Sequence, residues 1–170
     1  MYDLSWYIFI NMKKIAKLDE IDRRILNSLQ LDASLSIQEV ADKVGLSTNP
    51  CWRRIKRLED EGIILKRVAL LDAQAVGLGI TVFVSVRTEN HSKAWLDVFA
   101  RSVDKIPEII ECHRLTGKDD YLLKLQIGSI EHYDLVYKKF VELVPNLVDV
   151  SSTFSMETVK FSTSLTLPVS

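Results

Sequence analysis

Apolar positions recur at helical spacing in three early segments and at strand spacing further on. Over 18–31, Leu18, Ile21, Ile25 and Leu29 form one stripe, with Asp19, Glu20, Asp22, Arg23 and Arg24 outside it. That is the pattern of an amphipathic helix. Ile37, Val40, Ala41 and Val44 make a second stripe. Ser36 and Glu39 have capping-box spacing at its start, and Gly45 supplies the left-handed position that ends it. Cys51, Ile55 and Leu58 make a third stripe. Ser47 can cap that helix, and Pro50 falls in the first turn, where N–H groups lack intrahelical partners. Past Gly62 the period changes. Residues 63–72 read as a strand, and 73–79, with two glycines, as a linker. Val82, Val84 and Val86 alternate with Thr81, Phe83 and Ser85 in a strand that uses both faces. A helix over 92–104 turns Trp95, Phe99 and Val103 inward and stops before Pro107. Strands over 108–115 and 121–127 are joined by the TGKDD hairpin. Ser129 caps a helix carrying Tyr133, Val136, Tyr137 and Phe140, which Pro145 and Asn146 break. The last strand is expected over 148–159.

This order predicts an α+β chain. A winged helix-turn-helix domain occupies 15–72, and 73–79 link it to a ferredoxin-like βαββαβ domain over 80–170. The third helix has the more specific chemistry. Away from its apolar stripe it presents Asn49, Arg53, Lys56 and Arg57, with Trp52 and Arg54 at the margins and Ser47 and Thr48 at its start. Arginine can bond guanine edges in bidentate fashion, asparagine adenine edges, and lysine mainly phosphate. A short helix with this front and an apolar back suits a DNA major groove. The competing reading is a solvated basic helix on a small bundle.

Several stretches carry a resemblance to a known family. They are LDEIDRRIL, the VGLS turn, Pro50-Cys51, RRIKRLEDEGII, VALLD, ECHRLTGKDDYLLK and MET-VK. From about Leu18 onward the chain resembles the leucine-responsive/asparagine-responsive (Lrp/AsnC) family of transcription regulators. PCWRRIKRLEDEGI, HSKAW and the TSL ending are most similar to the branch that holds the regulator of bacterial cysteine detoxification. The resemblance implies a homodimer, four such dimers in a ring, double-stranded DNA as partner and an amino acid as effector. Cysteine is the first candidate effector and leucine-like amino acids the next. In the family, the stretch matching 63–72 leads out of the DNA-binding domain and helps pair two subunits. Lys66 and Arg67 there are either phosphate contacts or solvated residues.

The TGKDD turn has two readings. Its backbone N–H groups and the Asp120 carboxylate suit the carboxylate and ammonium of an α-amino acid, yet the same residues make an ordinary hairpin. The resemblance implies that this loop helps form effector pockets between neighbouring dimers. Gly117 and Asp120 match the family's glycine and aspartate, whereas Lys118 and Asp119 depart from its commoner acidic-aromatic pair. Thr153, Phe154 and Ser155 match the strand across that pocket, and ordinary strand packing is the alternative for them.

Composition narrows the function further. The 170 residues are 47% hydrophobic with formal net charge -1, so there is no global basic signature. A reader that concentrates charge on one helix remains compatible with that balance. Cys51 and Cys112 form no disulfide framework and read as small core residues. His91, His113 and His132 lie far apart without metal-ligand spacing, so no metal or cofactor is expected. Asp119 and Asp120 are adjacent rather than facing across a cleft, and no nucleophile–base pair is evident. The expectation is therefore a regulator and not an enzyme. Residues 1–11, MYDLSWYIFIN, are apolar but too short to span a bilayer, and they lack the basic start and small-residue site of a signal peptide. Met12 opens a natural-looking start. The expectation for 1–14 is an upstream start codon or a family-specific extension, with a dimer-covering arm as the alternative. A cytoplasmic, nucleoid-associated regulator with no membrane partner follows. The rivals are an architectural DNA-binding protein and an amino-acid sensor that does not touch DNA.

Overall fold

The computed structural model describes residues 16–168. The expected extension over 1–14 lies outside them. The chain divides into two compact units, one running to Ala69 and rejoined by Phe161–Ser170, the other Leu70–Lys160.

The first unit is built on helices α1 (Glu20–Leu31), α2 (Ile37–Val44) and α3 (Thr48–Asp60). Asp19 caps α1, accepting from Asp22 N at 2.8 Å, while the Asp22 carboxylate accepts from Asp19 N at 3.2 Å. Ser36 and Glu39 form the expected capping box, and Gly45 ends α2 at φ 73. Arg24 Nη2 donates to Lys43 O at 2.7 Å, which satisfies an orphan carbonyl at the end of α2. Ser47 occupies the N-cap of α3, but its side chain makes no cap bond, contrary to expectation. The neighbouring Thr48 hydroxyl instead donates to Gln38 Oε1 and ties the start of α3 to α2.

Ile25, Leu26, Val40, Ala41, Val44, Cys51, Ile55 and Leu58 form the core of this unit. Two assignments on α1 need correction. Leu26, outside the expected stripe, is buried, and Asp22, expected outside, is only 1% exposed. Its carboxylate is buried because two arginines of α3 close over it. The tail after residue 160 was expected with the sheet, yet it lies on the helices. Leu165 N donates to Gln30 Oε1 at 2.7 Å, Gln30 Nε2 donates to Leu165 O at 3.2 Å, and Leu167 packs on the core.

Residues 63–72 do not form a strand: 63–64 bend, with both N–H groups donating back to Leu58 O, and 65–72 are irregular. A strand needs a hydrogen-bonding neighbour, and none pairs with this segment among the described residues. Leu65, Val68, Leu70 and Leu71 are left exposed.

The second unit runs β1 (Ile80–Thr88), α4 (Lys93–Asp104), β2 (Ile109–Arg114), β3 (Tyr121–Ile127), α5 (Ile130–Leu143) and β4 (Leu147–Phe154). The sheet is antiparallel in the order β2-β3-β1-β4, the ferredoxin-like arrangement. Val82, Val84 and Val86 of β1 and Tyr121, Leu123, Leu125 and Ile127 of β3 bury against Trp95, Phe99, Val136 and Phe140 of the two helices. Phe99 stacks 5.1 Å from Trp95 and lies 4.3 Å from Tyr121, ring centre to ring centre. β4 stops at Phe154 rather than reaching 159, because β1, its partner, begins at Ile80. The presumed linker is itself a turn held on this unit, with Leu78 O accepting from Gln126 Nε2 and Gly77 at φ 77. A Cβ on Gly128 would meet Gly77 O at 2.6 Å, so glycine is required for that close approach. Cys51 is buried as expected, whereas Cys112, on edge strand β2, is exposed.

Candidate functional site

The face of α3 follows from helix phase. At about 100° per residue, Asn49, Trp52, Arg53 and Lys56 share one side, opposite Cys51, Ile55 and Leu58. All four outward side chains are exposed and the three inward ones are buried. Trp52 is 50% exposed, a large apolar surface on a face that is otherwise polar. Lys56 Nζ lies 2.9 Å from Asp60 Oδ1, and that carboxylate raises its pKa. Arg53 makes no hydrogen bond or ion pair with any described residue. It is therefore the guanidinium on α3 open to an external partner.

Arg54 and Arg57 occupy the flank of the helix and turn toward α1. Arg54 Nη1 lies 2.6 Å from Asp19 Oδ2 and 2.8 Å from Asp22 Oδ1, and Arg57 Nη2 lies 2.6 Å from Asp22 Oδ2. Asp19 is held below the usual carboxylate range, first by the Asp22 N–H and then by Arg54. Both arginines belong to the expected DNA-binding set, so the structure divides that set into an open stripe and a tethered flank. Ser47 is exposed and Thr48 half-buried, with its hydroxyl committed to Gln38. The hydrophobic stripe alone does not reveal this tether. The signal available was the run of carboxylates at Asp19 and Asp22 opposite a helix rich in arginine.

In the second unit, the loop after β2 closes on itself. Leu115 N donates to Asp120 O at 2.8 Å, and Asp120 N donates to Val86 O at 2.9 Å. The Asp120 carboxylate accepts from Thr88 N at 2.8 Å through Oδ2 and leaves Oδ1 3.9 Å from His91 Nε2. Asp120 thus anchors the loop and keeps one oxygen partly open. His91 was not singled out for this place; the pairing of Val86 with Tyr121 is what carries it beside Asp120. Gly117 and Lys118 are exposed and Asp119 is half-buried. Gly117 does not have positive φ, and a Cβ there would meet open space.

Thr153, Phe154 and Ser155 are not beside that loop. Thr153 pairs with Phe83 and Phe154 with Val82, while Ser155 N donates to Thr81 O at 2.9 Å. The loop hangs from the other end of β1, at Thr88. At a strand rise of 3.2–3.4 Å, the two groups are about 20 Å apart along β1. Within one chain they make no common pocket. The apolar gap between sheet and α5, lined by Val84, Leu123, Tyr133 and Phe140 among others, has a volume of about 10 Å³. That is room for at most one water. No group of three or more metal-ligating side chains occurs among the described residues, and no described helix is long and apolar enough to cross a membrane.

Comparison with known proteins accounts for both units. Residues 18–64 match the winged helix-turn-helix DNA-binding model, and 81–165 match the Lrp/AsnC ligand binding domain. The chain is 55% identical to the glutamate uptake regulatory protein of Zymomonas mobilis, over 91% of this chain and 93% of that one. It is 47% identical to the DNA-binding transcriptional activator DecR of Escherichia coli, over 87% and 97%. Among solved structures, it resembles the transcriptional regulator NMB0573 of Neisseria meningitidis in complex with L-Met. The TM-score is 0.82 at 35% identity, covering 88% of this chain and 97% of that one. A helical head that exposes Asn49, Trp52, Arg53 and Lys56 on one face and a ferredoxin-like domain that matches a ligand-binding model make an amino-acid-responsive DNA-binding regulator, and the chain belongs to the Lrp/AsnC family.

Proposed function

We propose that α3 enters the major groove with Asn49, Trp52, Arg53 and Lys56 toward the duplex, and that Arg53 reads a base edge. The observation that carries this reading is the open Arg53 guanidinium between exposed Asn49 and Lys56 on one helix face. Ser47 and Thr48, at the helix start, lie where backbone phosphates are usually met. Two copies pair through 63–72, whose exposed Leu65, Val68, Leu70 and Leu71 favour a partner that supplies both a strand edge and apolar cover. A symmetric pair would read pseudo-palindromic half-sites about one helical turn apart. Four such dimers in a ring are the larger assembly in this reading.

The effector site lies between copies. One chain brings the loop of Gly117, Lys118, Asp119 and Asp120, and another brings Thr153, Phe154 and Ser155. The separation of the two groups along β1 supports that arrangement. Cysteine is the first candidate effector on the branch resemblance. Methionine joins leucine-like amino acids as a candidate because a similar structure was solved as an L-Met complex. The protein acts in the cytoplasm on the nucleoid, and its chemistry is binding, without catalysis.

A salt-series binding experiment on selected and random-sequence duplexes tests the DNA reading. A regulator binds its selected site far more tightly than random duplex. Equal affinities would indicate an architectural protein, and no binding a sensor that leaves DNA alone. A thermal-shift screen of the twenty amino acids identifies the effector, since a ligand of the native state raises Tm by mass action.

A further inference from the structure

We propose that Asp22 is a specificity-determining residue of the DNA-reading head. It withholds Arg54 and Arg57 from the phosphate backbone and so holds down sequence-independent binding. The inference rests on the DNA reading above and concerns the two arginines which that face does not use.

Asp22 is the fixed end of this cluster. It is 1% exposed, and its two oxygens are taken by Arg54 Nη1 at 2.8 Å and Arg57 Nη2 at 2.6 Å. A buried carboxylate cannot move out to follow its partners, and losing them would leave an uncompensated charge among apolar groups. The arginines are therefore the tethered members. Arg54 has a second hold on Asp19 Oδ2 at 2.6 Å. Both arginines remain partly accessible, with side chains 30% and 43% exposed. They stand on the flank of α3 between the open and buried stripes. A guanidinium on a long stem at that position can reach toward α1 or toward a duplex. The carboxylate pair selects α1.

The consequence lies in discrimination. Sequence-independent affinity comes from phosphate neutralisation, and each neutralised phosphate steepens the salt dependence by about 0.9 in log–log slope on duplex DNA. What a regulator needs is the ratio of specific to nonspecific binding. Two arginines kept off phosphate lower the nonspecific term, while Arg53 stays free to read.

The test is a salt series of full-chain protein on a random-sequence duplex, with wild type, D22N, R57A and K56A. Wild type that binds no duplex would fault the DNA reading itself, separately from the tether. The proposal expects D22N to bind the random duplex more tightly, with a slope steeper by about 0.9 for each released arginine. It expects R57A, which leaves Asp22 paired with Arg54, to keep the wild-type slope, and K56A, which removes a phosphate-directed charge from the open face, to lower it. Folded D22N with an unchanged slope would make the cluster a plain tie between α1 and α3 and overturn the proposal. R57A with a slope lowered as far as that of K56A would overturn it too, because Arg57 would then be a phosphate contact. Should D22N fail to fold, D22L, which replaces the buried carboxylate with an apolar side chain, takes its place with the same expected and contrary slopes.

Discussion

The proposed DNA-reading face and the proposed effector site lie at opposite extremes of sequence locality. Asn49, Trp52, Arg53 and Lys56 lie within two turns of α3, and helix phase alone brings them to one side. The effector residues are split between the loop after β2 and the end of β4. The register places those groups at opposite ends of β1. One region needs only its own helix and the core beneath it; the other, in the proposed arrangement, needs a second copy of the chain. A local face can be read from periodicity, whereas a divided site can be read only from strand pairing and assembly.

The two regions also rest on separate cores, and breaking one core tests that separation most strongly. Phe99, 3% exposed, sits among Trp95, Tyr121 and Phe140. Phe99→Ala should destabilise the sheet unit by about 3–5 kcal/mol. Urea unfolding followed by near-ultraviolet circular dichroism measures this. Far-ultraviolet signal from the helical unit should persist beyond the lowered transition, and its simultaneous loss would mean that the two cores unfold as one.

Next in size is the reading face. Arg53→Ala should cost about 1–3 kcal/mol on a selected duplex and relax specificity at the base it contacts. Lys56→Ala should weaken all sequences more evenly. Titrations against a panel of single-base variants separate the two effects, and unchanged affinity in both variants would remove α3 from the interface.

The tail offers a smaller effect. Gln30 makes two hydrogen bonds to the backbone of Leu165 at the surface of the helical unit. Gln30→Ala should cost that unit about 1 kcal/mol, visible as a lower thermal midpoint. An unchanged midpoint would mean that the tail adds nothing to its stability.

Protonation should act through the caps, and the sign follows from the direction of the shifts. Asp19 is lowered by the Asp22 N–H and by Arg54, and Glu39 by the Ser36 hydroxyl and backbone. A depressed carboxyl adds stability above its unfolded pKa of about 4, and that stability is lost as pH falls through the lower folded value. Urea midpoints measured downward from neutral pH should fall in that window, and Asp19→Asn should flatten the fall. A wild-type midpoint that rises on acidification would contradict the assignment.

The same contrast explains what the sequence made legible. Helices α1 to α3 and the βαββαβ order follow from stripes at helical and strand spacing, and the Ser36–Glu39 box and the Gly45 turn follow from their local chemistry. Asp22 was misjudged because its partners, Arg54 and Arg57, are distant in sequence, and only helix packing makes burial of a carboxylate tolerable. Residues 63–72 have the apolar, partly β-branched composition of a strand, but a ladder depends on a neighbour, which no described residue of the single chain supplies. The return of 161–168 to α1 rests on backbone groups of Leu165 and Pro168, which carry no side-chain signature. Gly117 matches the family's glycine, yet a Cβ there would meet open space, so nothing within the described chain requires glycine at that position.

The central claim is that each effector site takes Asp120 from one copy and Phe154 from another. It is tested most directly by mixing two variants, Asp120→Ala and Phe154→Asp, each unable to bind the effector as a uniform assembly. Calorimetry on the two variants, dissociated, mixed and reassembled, should recover about a quarter of the wild-type sites, because random assembly unites an intact loop with an intact strand that often. No recovery from a mixture shown by light scattering to have reassembled would place both groups in one chain's site, or the site elsewhere, and would contradict the account.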